Sequence, residues 1–132
     1  MTHFGIMCPA DTGHLNPMLA LGRELKKRGH FLTVFQVLDV EQKVLSAGLE
    51  YRVIGKSAYP LGSMSEQYAE QGKLSGLDGV KFAIKTAKNL ASITFREAPD
   101  AIVAEEIDFL IIDQVLLWGG TIAEFLDIPF IT

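Results

Sequence analysis

An α/β domain does its chemistry where a buried strand hands over to a helix, and the segment Pro9 to Pro17, Pro-Ala-Asp-Thr-Gly-His-Leu-Asn-Pro, holds a histidine at such a junction. Before it, His3 to Cys8 is a short apolar run that reads as a strand; after it, Asn16 can cap a helix that Pro17 opens. Ligands of open parallel sheets sit outside the carboxyl ends of the strands, so a loop leaving the first strand puts His14 at that crevice. A histidine working as a general base needs a partner that fixes its tautomer and stabilises the imidazolium, usually a buried carboxylate. Asp113 follows the run Phe109-Leu110-Ile111-Ile112 and so leaves a further strand at the same edge of the sheet. Neighbouring parallel strands lie ~4.8 Å apart, close enough for imidazole and carboxylate to hydrogen bond. Asp113 suits a helix cap or a turn equally well.

The elements that must position this pair alternate along the chain. A first helix is expected from Pro17 to Arg28, with Met18, Leu21 and Leu25 on its buried face and Gly29 as its stop. Phe31 to Val37 reads as a second strand, Asp39 as the cap of a short helix through Val40, Val44 and Leu45 ending at Gly48, and Leu49 to Ile54 as a third strand. Gly55 to Gly76, with Pro60, Gly62 and Gly72, reads as a mobile loop interrupted by a short helix over Met64 to Lys73. Leu77, Val80, Ile84, Ala87, Ala91 and Phe95 step by three or four residues, the pattern of a long amphipathic helix that Pro99 kinks or restarts. Phe109 to Ile112 is the next strand, Gly119 to Leu126 the next helix, and Pro129 to Thr132 begins another strand. A strand opening Ile128-Pro129-Phe130-Ile131 should lead into a further loop and helix, so the 132 residues are expected to be a fragment that stops inside an element. The alternative is an edge strand that closes a small domain.

Composition narrows the class. The chain has 132 residues, 48% hydrophobic and 21% charged, with a net charge of −4, which fits one core and argues against nucleic acid as its partner. Its one cysteine, Cys8, cannot form an internal disulfide and reads as a small buried hydrophobe. Neither a signal peptide nor an apolar run long enough to cross a bilayer is present, so the expected location is the cytoplasm. No Gly-x-Gly-x-x-Gly and no P-loop follows the first strand, and no cluster has metal-ligand spacing. His3 and His30 read as structural. Gly119-Gly120 could present amide groups to an anion or let a helix pack closely on the sheet.

Gly13-His14-Leu15-Asn16-Pro17, Leu19-Ala20-Leu21-Gly22-Arg23-Glu24-Leu25 and Arg28-Gly29-His30 with Val34-Phe35 resemble the opening of family 1 glycosyltransferases, the UDP-sugar-dependent enzymes of the GT-B fold. Ile111-Ile112-Asp113-Gln114, Gly119-Gly120, Ala123-Glu124 and Ile128-Pro129-Phe130 continue the likeness. Met1 to Cys8, Gln36 to Val40, Tyr59-Pro60-Leu61-Gly62 and the Asp113-Gln114 pair more particularly resemble the carotenoid branch, the zeaxanthin glucosyltransferases.

The resemblance implies a Rossmann-like parallel sheet in the order 3-2-1-4-5 with helices on both faces, the acceptor half of a GT-B enzyme over residues 1–132. It implies that His14 deprotonates the acceptor hydroxyl and that Asp113 orients it. The oxygen then attacks the anomeric carbon of UDP-glucose or another UDP-hexose in line, with inversion, without a metal ion or any cofactor beyond the donor. The second, donor-binding half of the family does not occur in this chain, so the fragment alone is expected to be inactive. The family's acceptor-lining stretches correspond here to Thr12 to Leu15 (Thr12, Gly13 and Leu15), the Tyr59 to Met64 loop (Tyr59 and Leu61), parts of Leu77 to Phe95, and Val115 to Trp118 (Val115, Leu116 and Trp118), the last an apolar wall for a hydrophobic alcohol that core packing explains as readily. Apolar surface at the strand carboxyl ends is expected to support self-association. Lys81, Lys85 and Lys88 on the long helix could draw the protein to anionic lipid, or simply be solvated. Two other functions fit the same residues: a non-catalytic module binding a small apolar ligand, and one subunit of a split transferase.

Overall fold

Short runs of β-branched and aliphatic residues pair side by side in a computed structural model that describes residues 1–132. The strands are β1 (His3–Met7), β2 (Phe31–Gln36), β3 (Glu50–Val53), β4 (Phe109–Ile112) and β5 (Phe130–Ile131), all parallel in the order β3-β2-β1-β4-β5. This is the expected order. Central β1 aligns Ile6 with Val34 and Ile111, and Met7 with Phe35 and Ile112. Side chains alternate between faces along a strand, and both faces of the central strands are covered, so β1, β2 and β4 are mainly apolar, whereas edge strand β3 alternates exposed Glu50 and Arg52 with half-buried Tyr51 and Val53. Ile6, Val34 and Ile111 join Leu15, Leu19 and Val44 in one core cluster, while Met7, Phe35 and Ile112 join Ala98, Ile102 and Ile122 in the other.

The first face is covered by α1 (Thr12–Lys27) and α2 (Glu41–Ser46), the second by α4 (Gly76–Ala104) and α5 (Gly119–Phe125). α1 begins before its expected start: Asp11 is its N-cap in extended backbone, and Asn16 and Pro17 lie inside the helix. Its buried face is therefore Leu15, Leu19 and Gly22, with Leu21 turned outward. At Gly22 a Cβ would stand 2.7 Å from Leu49 Cδ1 and 3.1 Å from Ile6 Cδ1, so only hydrogen lets α1 sit this close to the sheet. Gly29, at φ 91°, follows the end of α1 as expected.

Asp39 caps a different helix from the one expected. It lies in a 3-10 turn (Leu38–Val40), and its carboxylate accepts hydrogen bonds from the amides of Gly62 (2.6 Å) and Met64 (2.7 Å), at the start of α3 (Ser63–Gly72). A side chain more than twenty residues upstream thus satisfies amides that a helix start leaves free. α4 continues through Pro99 as one helix and does not restart there. Its buried residues are Thr94, Ala98, Ala101 and Ile102, small enough to bring the helix onto the sheet, whereas Leu77, Val80, Ile84 and Phe95 of the expected apolar face are exposed.

The Gly119-Gly120 pair serves packing. A Cβ on Gly119 would collide with the Ile112 side chain, and α5 approaches β4 across that contact. Gly119→Ala is expected to cost about 1–3 kcal/mol of stability through overpacking, read as a lower urea midpoint at unchanged m-value. An unchanged midpoint would show that α5 can move away freely.

Candidate active site

His14 and Asp113 meet at the carboxyl edge of the sheet. β4 delivers Asp113, whose amide donates to the Met7 carbonyl at 2.8 Å and so extends the β1–β4 ladder by one bond. The chain then turns back, with the Leu116 amide on the Asp113 carbonyl and the Val115 amide on Asp113 Oδ1, both at 2.9 Å. These bonds leave Oδ2 aimed at His14 Nδ1, 2.8 Å away. His14 stands in the first turn of α1 rather than in a free loop, so helix geometry fixes its backbone.

An ionised carboxylate only accepts hydrogen bonds, so Nδ1 carries the proton and the lone pair of the neutral ring is on Nε2. Asp113 is 12% exposed and His14 is 37% exposed, which puts the carboxylate inside and the imidazole toward solvent. The hydrogen bond to Asp113 raises the His14 pKa above its ordinary 6.5, against a smaller opposing effect of burial. At Asp113 burial pushes upward, but the Val115 amide and His14 outweigh it and hold the carboxyl below its usual value. The raised histidine stabilises the fold at pH values below about 6.5, a contribution lost as pH rises through the elevated pKa. The depressed carboxyl stabilises the fold above its usual 3.8, and that contribution is lost as pH falls through the lowered value. An NMR titration should therefore give a His14 imidazole pKa above 6.5 that moves back toward 6.5 in Asp113→Asn. Equal values in the two proteins would mean the contact is absent in solution.

Gln36, buried at the end of β2, was not anticipated as part of this site. Its amide donates to the Cys8 carbonyl and its Oε1 accepts from the Val37 amide, which pins the segment between β1 and α1 that presents His14. The available signal was one amide side chain within the mainly apolar run Phe31 to Val37, where Thr33 is the other polar residue. Cys8 is buried as expected, and burial first, then Asp113 and Asp11, push its thiol up to about 12, so it is not a nucleophile here.

Two cavities open next to the segments that carry the pair, and neither is lined by His14 or Asp113. One, of about 330 Å³, is mainly apolar and takes in Tyr59, Val115, Leu116 and Trp118 from the expected acceptor residues, along with Asp11 and Gln36. The other, of about 380 Å³, takes in Thr12, Leu15 and Leu61 together with Asp39 and Lys43. Ala10, Met64 and Tyr68 border both. Gly13 and His14 line neither, although the residues on each side of them do. The expected acceptor residues are thus divided between two neighbouring spaces, separated by α3. Met64 and, from the long helix, Thr86 and Leu90 also border the mainly apolar cavity, within the stretches expected to line the acceptor site; sequence reasoning missed Gln67 and Tyr68 of α3, because their spacing resembles that of any packed helix.

No family model matches the chain. It is 27% identical over 132 residues to the zeaxanthin glucosyltransferase of Pantoea ananas, covering 100% of this chain and 30% of that protein. It is 29% identical over 127 residues to the sterol 3-beta-glucosyltransferase of Eremothecium gossypii, covering 96% of this chain and 10% of that protein. Among solved structures it superposes on a Streptomyces glycosyltransferase, SsfS6, with a TM-score of 0.75 at 18% identity, over 98% of this chain and 38% of that one. The chain thus spans 30% of the length of the first of these curated relatives, matching its N-terminal region, and 10% of the second. Its fold is that of the GT-B glycosyltransferases over their N-terminal region, and its sequence is similar to the N-terminal part of a curated glucosyltransferase.

Proposed function

We propose that this chain is the acceptor-binding, base-supplying part of an inverting glycosyltransferase that moves a hexose from a UDP-sugar, such as UDP-glucose, to the hydroxyl of a lipophilic small molecule. The observation that carries this reading is the 2.8 Å contact of His14 with Asp113 beside a mainly apolar cavity of about 330 Å³. His14 Nε2 takes the proton of the acceptor hydroxyl, and Asp113 holds the imidazolium that results. The acceptor oxygen forms a bond to the anomeric carbon from the side opposite the leaving group. The bond from that carbon to the UDP oxygen breaks, UDP departs with the electron pair, and the configuration inverts.

Tyr59, Leu116 and Trp118 give the cavity a wall suited to a hydrocarbon skeleton rather than to a sugar or a nucleotide. The names of two relatives, a zeaxanthin and a sterol glucosyltransferase, fit an acceptor of that kind, and a carotenoid alcohol is the specific candidate. On this reading donor binding falls mainly to a second domain, as the GT-B resemblance implies.

Trp118 is the single tryptophan and borders the cavity, so its emission reports on occupancy. Titrating the chain with a long-chain or polycyclic alcohol should shift that emission, whereas UDP-glucose should leave it unchanged. The chain by itself should transfer no sugar. UDP-glucose turnover by the 132 residues alone, free of any partner, would falsify this division of labour.

A further inference from the structure

The apolar stripe of α4 faces away from the domain. At about 100° per residue, Leu77, Val80, Ile84 and Phe95 fall within an arc of about 60°, and Phe82, Thr86, Leu90 and Ile93 lie on the opposite side. The second set is the one turned inward: Thr86 and Leu90 border the apolar cavity, and Ile93 packs on the core. The first set is left uncovered, with Leu77 76%, Val80 55% and Ile84 63% exposed. Lys81, Lys85 and Lys88 border this stripe along one side; all three are exposed, and none enters an ion pair.

Charge is segregated to this part of the molecule. Residues 73–96 carry Lys73, Lys81, Lys85, Lys88 and Arg96 against Asp78 alone, in a chain whose net charge is −4. We propose that this face of α4 docks on an anionic lipid bilayer, with Leu77, Val80 and Ile84 at the acyl boundary and the three lysines against lipid phosphates. An amphipathic helix with a basic border is the form that lies in a membrane interface. No helix here is long and apolar enough to cross a membrane, so the contact is peripheral. A second copy of the chain is a poorer occupant, because a two-fold contact through this face would set the same lysines against one another.

The surface stands on these observations alone. Its link to the proposed transferase is that the inward side of the same helix borders the cavity, which would place that cavity beside a membrane-dissolved alcohol. The test therefore reads lipid binding and not sugar transfer. In flotation assays the chain should bind vesicles containing about one third phosphatidylglycerol and should largely ignore pure phosphatidylcholine. Binding should fall in 1 M salt, where the Debye length shrinks to about 3 Å. K81Q/K85Q/K88Q should lose on the order of 10²-fold in partition coefficient. L77S/I84S should abolish binding at low salt with an unchanged melting temperature, since both side chains are exposed. Equal binding to both vesicle types, or undiminished binding by either variant, would overturn the proposal. So would a lipid-free dimer that L77S/I84S converts to monomer without any vesicle binding by the parent, which would assign the face to a second copy.

Discussion

Substituting His14 by alanine in this chain, joined to a UDP-sugar-binding domain, is expected to lower kcat by at least ~10²-fold while moving KM little, the pattern of a lost general base. The reason is positional. Nδ1 is occupied by Asp113 at 2.8 Å, so Nε2 is the nitrogen left to take a proton, and the ring is the partly exposed member of the pair. Alanine removes the proton acceptor without disturbing a core side chain, and Leu15 and Leu19 still seat α1. At pH above the elevated His14 pKa, where the imidazole contributes no charge to the fold, thermal unfolding should change little while progress curves flatten. A complete His14→Ala enzyme that retains its turnover would remove His14 from the mechanism and favour a binding module in which the pair is structural.

Replacing Asp113 by asparagine tests the other half of the pair and separates orientation from proton uptake. The amide can present its N–H₂ to Nδ1, which favours the tautomer with the proton on Nε2 and blocks the base. Carboxylate-oriented histidines lose on the order of 10²–10⁴-fold in kcat when the carboxylate becomes an amide. The pH profile adds a second readout. Because the working form is neutral imidazole, the acid limb of kcat/KM should lie above 6.5 in the parent enzyme, where the hydrogen bond to Asp113 raises the His14 pKa. In Asp113→Asn that limb should move down toward 6.5, so the residual rate persists to lower pH even as its plateau falls. A merely destabilised protein would lose plateau activity with no movement of the limb, and that outcome would demote Asp113 to a turn former held by Val115 and Leu116.

The pairing of His14 with Asp113 was legible because it depends on local signals: each residue follows an apolar strand run, and parallel strands bring their carboxyl ends to one edge. The register within α1 was not. Asn16-Pro17 is a strong start signal, yet the Asp11 N-cap and the burial of Leu15 begin the helix at Thr12, and this turns Leu21 to solvent. The role of Asp39 was equally hidden, since its partners are the amides of Gly62 and Met64 and no spacing rule links residues so far apart.

By itself the sequence determined the alternation of elements, the apolar strands and the residues that end them, because strand and helix periods are written in consecutive side chains. Tertiary structure alone decided which faces those elements bury. α4 is the clearest case: the period through Leu77, Val80, Ile84 and Phe95 correctly announces a helix with one apolar side, yet small residues, Ala98 and Ala101, are what let it approach the sheet. Periodicity reports that a face differs from its neighbours and carries no information about what covers it. That depends on where the sheet, α3 and the cavity between α3 and α4 lie, and only the packed chain sets those positions.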